Sequence, residues 1–208
     1  MCPGRRNRRL TSPQINYPAY FLLSSRKDFE DIREKYRSAR ANREVLRGLI
    51  ERSLAIKKAM IERDEFDEGP RNVFNYGHSF GHALESYSNY DIPHGIAVTF
   101  GMDIANHVSS ALGFLSLDEA REMRGLLEIN WQPTVPPELS IDRYFELLQK
   151  DKKNVGTNVR VILTRGVGDM FITTIALSDT VTSAVRECFD YYRRPGQQAT
   201  HGSIGKGL

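Results

Sequence analysis

Three histidines that lie close together in the sequence are the residues best suited to chemistry. His78, His82 and His94 are three of the five histidines in a chain of 208 residues. Neutral imidazole is the commonest metal ligand in proteins and the commonest acid or base near neutral pH. His78 and His82 are spaced i, i+4, so on a helix both point the same way. Two ligands on a helix and a third group from the following loop form a common metal-site layout. The pattern therefore predicts a metal site with an acid/base histidine beside it.

A second interpretation is a helix whose histidines only cap and pack. A pair spaced like His78 and His82 is, taken alone, more often structural than functional. The third histidine favours the metal site, and so do Gly77 and Gly81, because glycine lets another backbone or a ligand approach closely. Glu85 has two interpretations of equal weight: it orients a ligating histidine, or it is a capping or surface carboxylate.

Several sequence elements stand in a fixed order around these histidines. They are Ile56-Lys57, Asp64-Glu65, Arg71, residues 75–85 (NYGHSFGHALE), Pro93-His94-Gly95 and Asp151-Lys152-Lys153. In identity, order and spacing these elements resemble the dehydroquinate synthase family, the sugar phosphate cyclases, over roughly residues 20 to 190. The iron-type polyol dehydrogenases share a similar helical metal domain. The form of the histidine motif, together with Arg71 and the Asp-Lys-Lys element, favours the cyclases.

The resemblance implies a role for each matching residue. His78 and His94 would bind a divalent metal ion, zinc or cobalt, and His82 would act as an acid or base, or contact phosphate, beside it. The implied catalytic set is His82, Lys57 and Lys152, and the implied substrate-binding set is Arg71, Asn75 and Lys153. Which of the two adjacent lysines faces the site stays open. Cations suit this chemistry, because an anionic sugar phosphate must be held by fixed positive charges.

The resemblance also implies a reaction. Members of the family oxidise one carbinol with NAD, eliminate phosphate, reduce the ketone again and close a carbocycle by aldol addition. The implied function is a carbocycle-forming phosphorus–oxygen lyase of the dehydroquinate synthase kind, in the shikimate route to aromatic amino acids. Arg71 favours a carboxylated substrate, such as the seven-carbon sugar-acid phosphate of that route. A cyclase acting on a different sugar phosphate is the alternative.

Two departures from the family pattern limit this expectation. The family has an N-terminal dinucleotide-binding domain, whereas no strand followed by a Gly-rich turn precedes residue 50 here. The family's third metal ligand is a glutamate just before the region of Tyr20, and residues 11–20 contain no acidic residue. Asp103 is a candidate substitute, although a structural role suits it better. We therefore expect a C-terminal half without the NAD domain that is inactive alone. It would be a silent remnant, or a subunit that works with a separate nucleotide-binding chain or as a homodimer.

The composition indicates an ordinary soluble domain. The formal charge is +3, and 26% of the residues are charged. Much of the positive excess comes from the four arginines between residues 5 and 9. A solvated tail is favoured there over a nucleic-acid-binding or targeting arm. No apolar run approaches about 18 residues, so we expect no membrane partner. Cys2 and Cys188 fit free thiols in a reducing cytoplasm better than a disulfide.

The elements that must position the histidines are mainly helical. Periodicity and capping signals predict a mainly α chain, matching the helical metal-binding domain that the resemblance implies, with a small two-stranded β element near 158–177. The domain is expected to span 20–193, between a disordered leader at 1–19 and a disordered tail at 194–208. The motif lies on a predicted helix at 72–87, and His107, on the next helix, is expected to be structural. The other predicted helices are 26–39, 42–63, 95–112, one that begins near Ser116 with Glu119 as its capping partner, 140–150 and 179–192, and the predicted strands are 158–164 and 170–177.

Overall fold

The computed structural model of this protein describes residues 22–39, 41–64, 70–131, 134–150 and 158–194, except for the side chains of residues 70 and 71. Lys152, Lys153 and the side chain of Arg71 therefore lie outside the described residues. The predicted leader at 1–19 and the tail beyond residue 194 also lie outside them.

The prediction of a mainly helical chain with one small β element is confirmed. The helices are α1 (Arg26–Ala39), α2 (Arg43–Arg63), a 3-10 helix (Pro70–Asn75), α3 (His78–Tyr87), α4 (His94–Ala111), α5 (Leu117–Trp131), α6 (Ile141–Gln149) and α7 (Asp179–Tyr192), and the strands are β1 (Asn158–Thr164) and β2 (Met170–Ala176). None of the helices in the described ranges is both long and apolar enough to span a bilayer.

Polar caps explain where several helices begin. The Asn42 side chain accepts hydrogen bonds from the backbone N–H groups at the start of α2, and Ser140 does the same for α6. At α5 the backbone N of Glu119 donates to Ser116 Oγ at 3.2 Å, as the capping signal predicts. The Glu119 carboxylate turns away from that cap and accepts from the backbone N of Val167 at 3.4 Å. Such caps satisfy backbone donors that have no partner within the helix.

The motif does not form the single helix predicted at 72–87. The chain forms the 3-10 helix, turns at Tyr76 and Gly77, and begins α3 at His78. The turn requires Gly77, whose φ of 79° lies in the left-handed region that favours glycine. His94 also differs from its prediction: it is the first residue of α4 and not part of a loop, because Pro93 has the extended conformation of a residue that precedes a helix. Both differences place a histidine in the first turn of a helix.

Helix α4 is the centre of the core. Every residue from Ile96 to Val108 is buried except His107, which is partly exposed. The helix packs against α3, α5, α7 and β1. Its Phe100 ring stacks on Trp131 with 4.8 Å between ring centroids and lies at the same distance from Tyr192. A helix that is apolar on all sides is stable only when other elements surround it, which accounts for its central place.

The β element is an antiparallel pair in which Asn158 lies opposite Ala176 and Thr164 opposite Met170. On β1 the side chains of Val159, Val161 and Leu163 are buried, the alternation expected of a strand with one face on the core. Strand β1 lies against α3, α4 and α6, and Ser79 in the first turn of α3 donates to the Arg160 carbonyl at 3.2 Å. The pair therefore supports the segment that carries the histidines.

Candidate metal centre

The structure brings His78, His82 and His94 together. Each offers one ring nitrogen, and these three nitrogens all lie within 4.8 Å of one another. The ring centroids are 5.3 to 5.7 Å apart. Zinc–nitrogen bonds are about 2.0–2.1 Å long, so nitrogens around one tetrahedral ion lie roughly 3.4 Å apart. The three donors are therefore near enough to one another to be candidate ligands of a single divalent ion.

Close packing of α3 on α4 is what places the histidines together. A side-chain Cβ at Gly81 would lie 2.8 Å from Val98 Cα and 2.9 Å from Ala97 O. A Cβ at Gly101 would overlap Gly77 O and lie 2.6 Å from Gly81 N. Each glycine thus faces the backbone of the other helix, which its missing Cβ allows.

Gly101 is a residue that the sequence interpretation missed. Gly77 and Gly81 stand out in the sequence because each precedes a histidine, whereas Gly101 lies inside an apolar helix outside the motif. A signal was available. Glycine costs a helix interior about 1 kcal/mol relative to alanine, so an isolated glycine there often has a packing reason.

Hydrogen-bond acceptors hold the Nδ1 atoms of two of the three rings. His94 Nδ1 lies 3.1 Å from both carboxylate oxygens of Glu85, and His78 Nδ1 lies 3.4 Å from the Tyr76 carbonyl oxygen. Both partners can only accept when Glu85 is ionised, so Nδ1 donates and carries the proton in each ring. The Nε2 atoms of His78 and His94 then keep their lone pairs. That tautomer is the one needed by a histidine that binds a metal through Nε2.

His82 is held differently from the other two. Its Nε2 lies 4.0 Å from Glu85 Oε2, beyond hydrogen-bond distance, and its ring is half exposed. No described residue holds its Nδ1. The ring is therefore close to the other two, with neither nitrogen bound to an acceptor.

Burial sets the charge of His78, the most enclosed of the three clustered histidines. Desolvation lowers the pKa of His78, and the neighbouring His82 and His94 rings lower it further. Backbone hydrogen bonds at Tyr76 and Asn75 act in the opposite direction but do not outweigh desolvation. His78 is consequently neutral near pH 7, which is the form that binds metals.

The remaining predicted site residues are only partly described. Lys57 is exposed on α2, which packs against the 3-10 helix, and Asn75 is exposed at the end of that helix. Asn75 precedes the turn that leads into His78. Because Lys152, Lys153 and the Arg71 side chain lie outside the described residues, convergence of the cations on one cleft stays a prediction.

Asp103 and His107 have the structural roles expected of them. Asp103 is buried, and both its oxygens accept from Arg124 at 2.8 to 3.0 Å. It also accepts from the Tyr192 hydroxyl at 2.6 Å. His107 Nε2 lies 3.0 Å from Glu187 Oε2. With Arg124 and Tyr192 on its carboxylate, Asp103 is an internal ion-pair partner.

Comparison with known proteins decides the family. A family model described as "3-dehydroquinate synthase C-terminal" matches residues 19–154. This chain belongs to that family. It is 37% identical over 134 residues to the 3-dehydroquinate synthase of Syntrophotalea carbinolica, which covers 64% of this chain and 37% of that protein. It is 38% identical over 151 residues to that of Halorhodospira halophila, covering 70% and 43%. The chain thus spans less than half the length of these curated relatives.

Solved structures share its fold. A 2-deoxy-scyllo-inosose synthase complexed with carbaglucose-6-phosphate, NAD+ and Co2+ superimposes with a TM-score of 0.70 at 21% identity, over 83% of this chain and 49% of that one. A 2-epi-5-epi-valiolone synthase from Streptomyces hygroscopicus, with NAD+ and Zn2+ bound, gives a TM-score of 0.72 at 17% identity, over 85% and 50%. The fold is that of the dehydroquinate synthase-like sugar phosphate cyclases.

Proposed function

We propose that this chain is the metal-binding part of a carbocycle-forming lyase that acts like 3-dehydroquinate synthase on a seven-carbon sugar-acid phosphate. Membership of the family supports the reaction class, and the curated relatives carry that enzyme's name. The substrate class rests on Arg71, a cation suited to a carboxylate. The solved neighbours are cyclases named for other products. A different sugar phosphate is therefore the second candidate substrate.

The proposed metal ligands are His78 and His94, and the ion would be zinc or cobalt. The observation that carries this assignment is the anchoring of Nδ1 in these two rings, which leaves Nε2 free. When bound, a divalent ion supplies Lewis acidity toward hydroxyl and carbonyl oxygens of the substrate. We assign no described residue as a third protein ligand.

His82 is proposed as the acid or base of the site. Its ring is half exposed beside the two proposed ligands and is not hydrogen-bonded to Glu85, so it is free to turn toward a substrate. Imidazole suits proton transfer near neutral pH. Lys57 and Lys152 are proposed to assist catalysis, and Arg71, Asn75 and Lys153 to hold the anionic groups of the substrate.

Metal binding is the first test. Purified chain is titrated with Co2+ and followed by its visible absorption, and Zn2+ is added in competition. We expect one ion per chain, with binding reduced at least tenfold in His78→Ala and His94→Ala. His107→Ala is the matched control, since it removes a histidine that also contacts a glutamate but lies elsewhere on α4. Equal binding by wild type and His94→Ala would show that the ligand assignment is wrong.

Turnover is the second test. The family reaction opens with hydride transfer to NAD, and we assign that dinucleotide to no described residue, so we expect no phosphate release by the chain alone with NAD and zinc. Phosphate release is expected once a separate nucleotide-binding chain of a relative is added, and it should be lost with His82→Ala. Turnover by the chain alone above the His82→Ala background would refute the expectation of inactivity. If no phosphate is released with any nucleotide-binding chain or sugar phosphate tested, the alternative of a catalytically inactive chain is favoured.

A further inference from the structure

Glu85 is a buried carboxylate that lies beside histidines and not, among the described side chains, beside an arginine. It lies on α3 and is only 8% exposed. Among the residues that the structure describes, its side chain contacts only two groups able to carry positive charge, the rings of His82 and His94. Other buried carboxylates of the chain have a guanidinium partner: Asp103 has Arg124, and Asp28 has Arg52. Burying a carboxylate is costly unless it is paired and hydrogen-bonded, so Glu85 needs compensation from the histidine cluster.

The position of Glu85 follows from helix geometry. His78, His82 and Glu85 are spaced i, i+4, i+7, so they share one face of α3. That face meets the first turn of α4, where unpaired backbone N–H groups favour a negative charge. The glycine contact between the helices brings the carboxylate close enough for both its oxygens to lie 3.1 Å from His94 Nδ1.

We propose that Glu85 is a positioning residue that fixes the tautomer of His94 and raises the affinity of the centre for a divalent cation. Its carboxylate accepts a hydrogen bond from Nδ1–H, which keeps the proton on Nδ1 and the lone pair on Nε2. Its negative charge offsets part of the charge of an incoming ion. This inference rests on the proposed metal site. Outer carboxylates of this kind typically change metal affinity 10- to 100-fold when removed.

The first experiment reads the tautomer without metal. Nitrogen-15 spectra of the metal-free chain, recorded well above the ordinary imidazole pKa of about 6.5, report which nitrogen of His94 holds the proton. We expect the proton on Nδ1 in the wild type and in Glu85→Gln, because the amide oxygen still accepts a hydrogen bond. In Glu85→Leu the preference should be lost. An unchanged His94 tautomer in Glu85→Leu would overturn the proposal.

The second experiment measures affinity for Zn2+ and Co2+. Glu85→Leu, which removes both acceptor and charge, should bind each ion 10- to 100-fold more weakly than the wild type. Glu85→Gln, which removes only the charge, should have an affinity between those of Glu85→Leu and the wild type. Glu187→Gln is the matched control, because Glu187 also contacts a histidine on α4, and it should stay within about twofold. If Glu85→Leu and Glu85→Gln both bind as tightly as the wild type, Glu85 has no such role.

The two readouts separate failure of this inference from failure of the proposed function. A wild-type chain that takes up neither ion would overturn the metal assignment, while the tautomer spectra would still decide the role of Glu85. Thermal unfolding of each metal-free variant checks folding. Should Glu85→Leu fail to fold, Glu85→Gln decides, since wild-type affinity in that variant would exclude a contribution from the charge.

Discussion

Two histidine–glutamate pairs at opposite ends of α4 have the same chemistry and the opposite burial. In the pair at the start of the helix, the Glu85 side chain is 11% exposed and the His94 side chain 55% exposed. In the pair near its end, the His107 side chain is 17% exposed and the Glu187 side chain 68% exposed. The distances are nearly equal, 3.1 and 3.0 Å. Burial, and not contact distance, distinguishes the two pairs.

The difference in burial decides which member of each pair, the imidazole or the carboxylate, can contact groups from solvent. With Glu85 inside, the imidazole of His94 is held at Nδ1 and presents its other nitrogen to the outside, as a ligand should. With Glu187 outside, the carboxylate is free to exchange its imidazole partner for water, so the contact is a surface ion pair of little energetic weight. In this chain, the histidine–carboxylate contact at the proposed metal site is the one whose carboxylate is buried.

The largest expected effect comes from separating α3 from α4. Gly101→Ala would place a methyl group against Gly77 O and Gly81 N, both backbone atoms that cannot rotate away. We expect the free energy of unfolding to fall by about 3 kcal/mol or more, the upper range for overpacked cores. Metal binding at His94 should weaken in parallel, because Glu85 and His94 lie on the two separated helices. Urea unfolding and Co2+ titration measure the two effects.

Gly125→Ala is the control for that change. Gly125 lies inside α5, and an added Cβ would meet nothing within 4 Å. The substitution should stabilise the chain by up to about 1 kcal/mol, since alanine is the better helix former. Equal stability of Gly101→Ala and wild type would mean that the helices can move apart freely, and the packing explanation of the site would be wrong.

The next largest effect on the free energy of unfolding is expected at Asp28, a buried carboxylate paired with Arg52. Asp28 accepts from Arg52 Nε at 2.7 Å and Nη2 at 2.8 Å, and also from Ser24 and Ser25. These bonds, led by that of Arg52, lower the Asp28 pKa from 3.8 to about 2. Because the folded-state pKa is below the unfolded one, the stabilisation is complete above about pH 4 and is lost as the pH falls through about 2. It is worth on the order of 2 kcal/mol.

Asp28→Asn tests this against the wild type. The difference in the free energy of unfolding should be constant from neutral pH down to about pH 4 and then shrink toward pH 2. Glu51→Gln, which breaks the exposed pair with Arg47, should change stability less than Asp28→Asn does near neutral pH. A difference between Asp28→Asn and wild type that does not change with pH would indicate that packing, not the ion pair, is responsible.

Local patterns predicted most of the elements but not their approach to one another. Helices 26–39 and 179–192 were predicted to the residue, because their apolar faces and flanking residues are visible in sequence. The break at Gly77 was not predicted, since a glycine inside a helical pattern can be tolerated. Met102 and Val98 pack so closely against Gly77 that no side chain fits there. Those neighbours are remote in sequence and become visible only in the fold.

In the candidate site, too, the sequence indicates the residues but not the packing that brings them together. Histidine spacing and the family resemblance indicated which rings to consider, but left open whether Glu85 was a surface carboxylate. The answer depends on Gly101, which sits on another helix and lets Glu85 reach His94. No local pattern links Glu85 on α3 to the two residues on α4. The place of Lys57 relative to the histidines likewise depends on how α2 packs, so its role stays a prediction.

The smallest expected effect is at the outer pair. Glu187→Gln removes a charge that is mostly solvated, and His107 keeps its place on α4 through the packing of that helix. We expect the free energy of unfolding to change by less than about 1 kcal/mol, and the change to diminish in high salt, as for other exposed ion pairs. Glu85→Gln, measured beside it by urea unfolding without metal, should cost more, because the buried Glu85 carboxylate is replaced and His94 loses its charged acceptor. Equal costs for the two substitutions would show that burial does not distinguish the pairs, and would remove the reason for treating only one of them as part of a site.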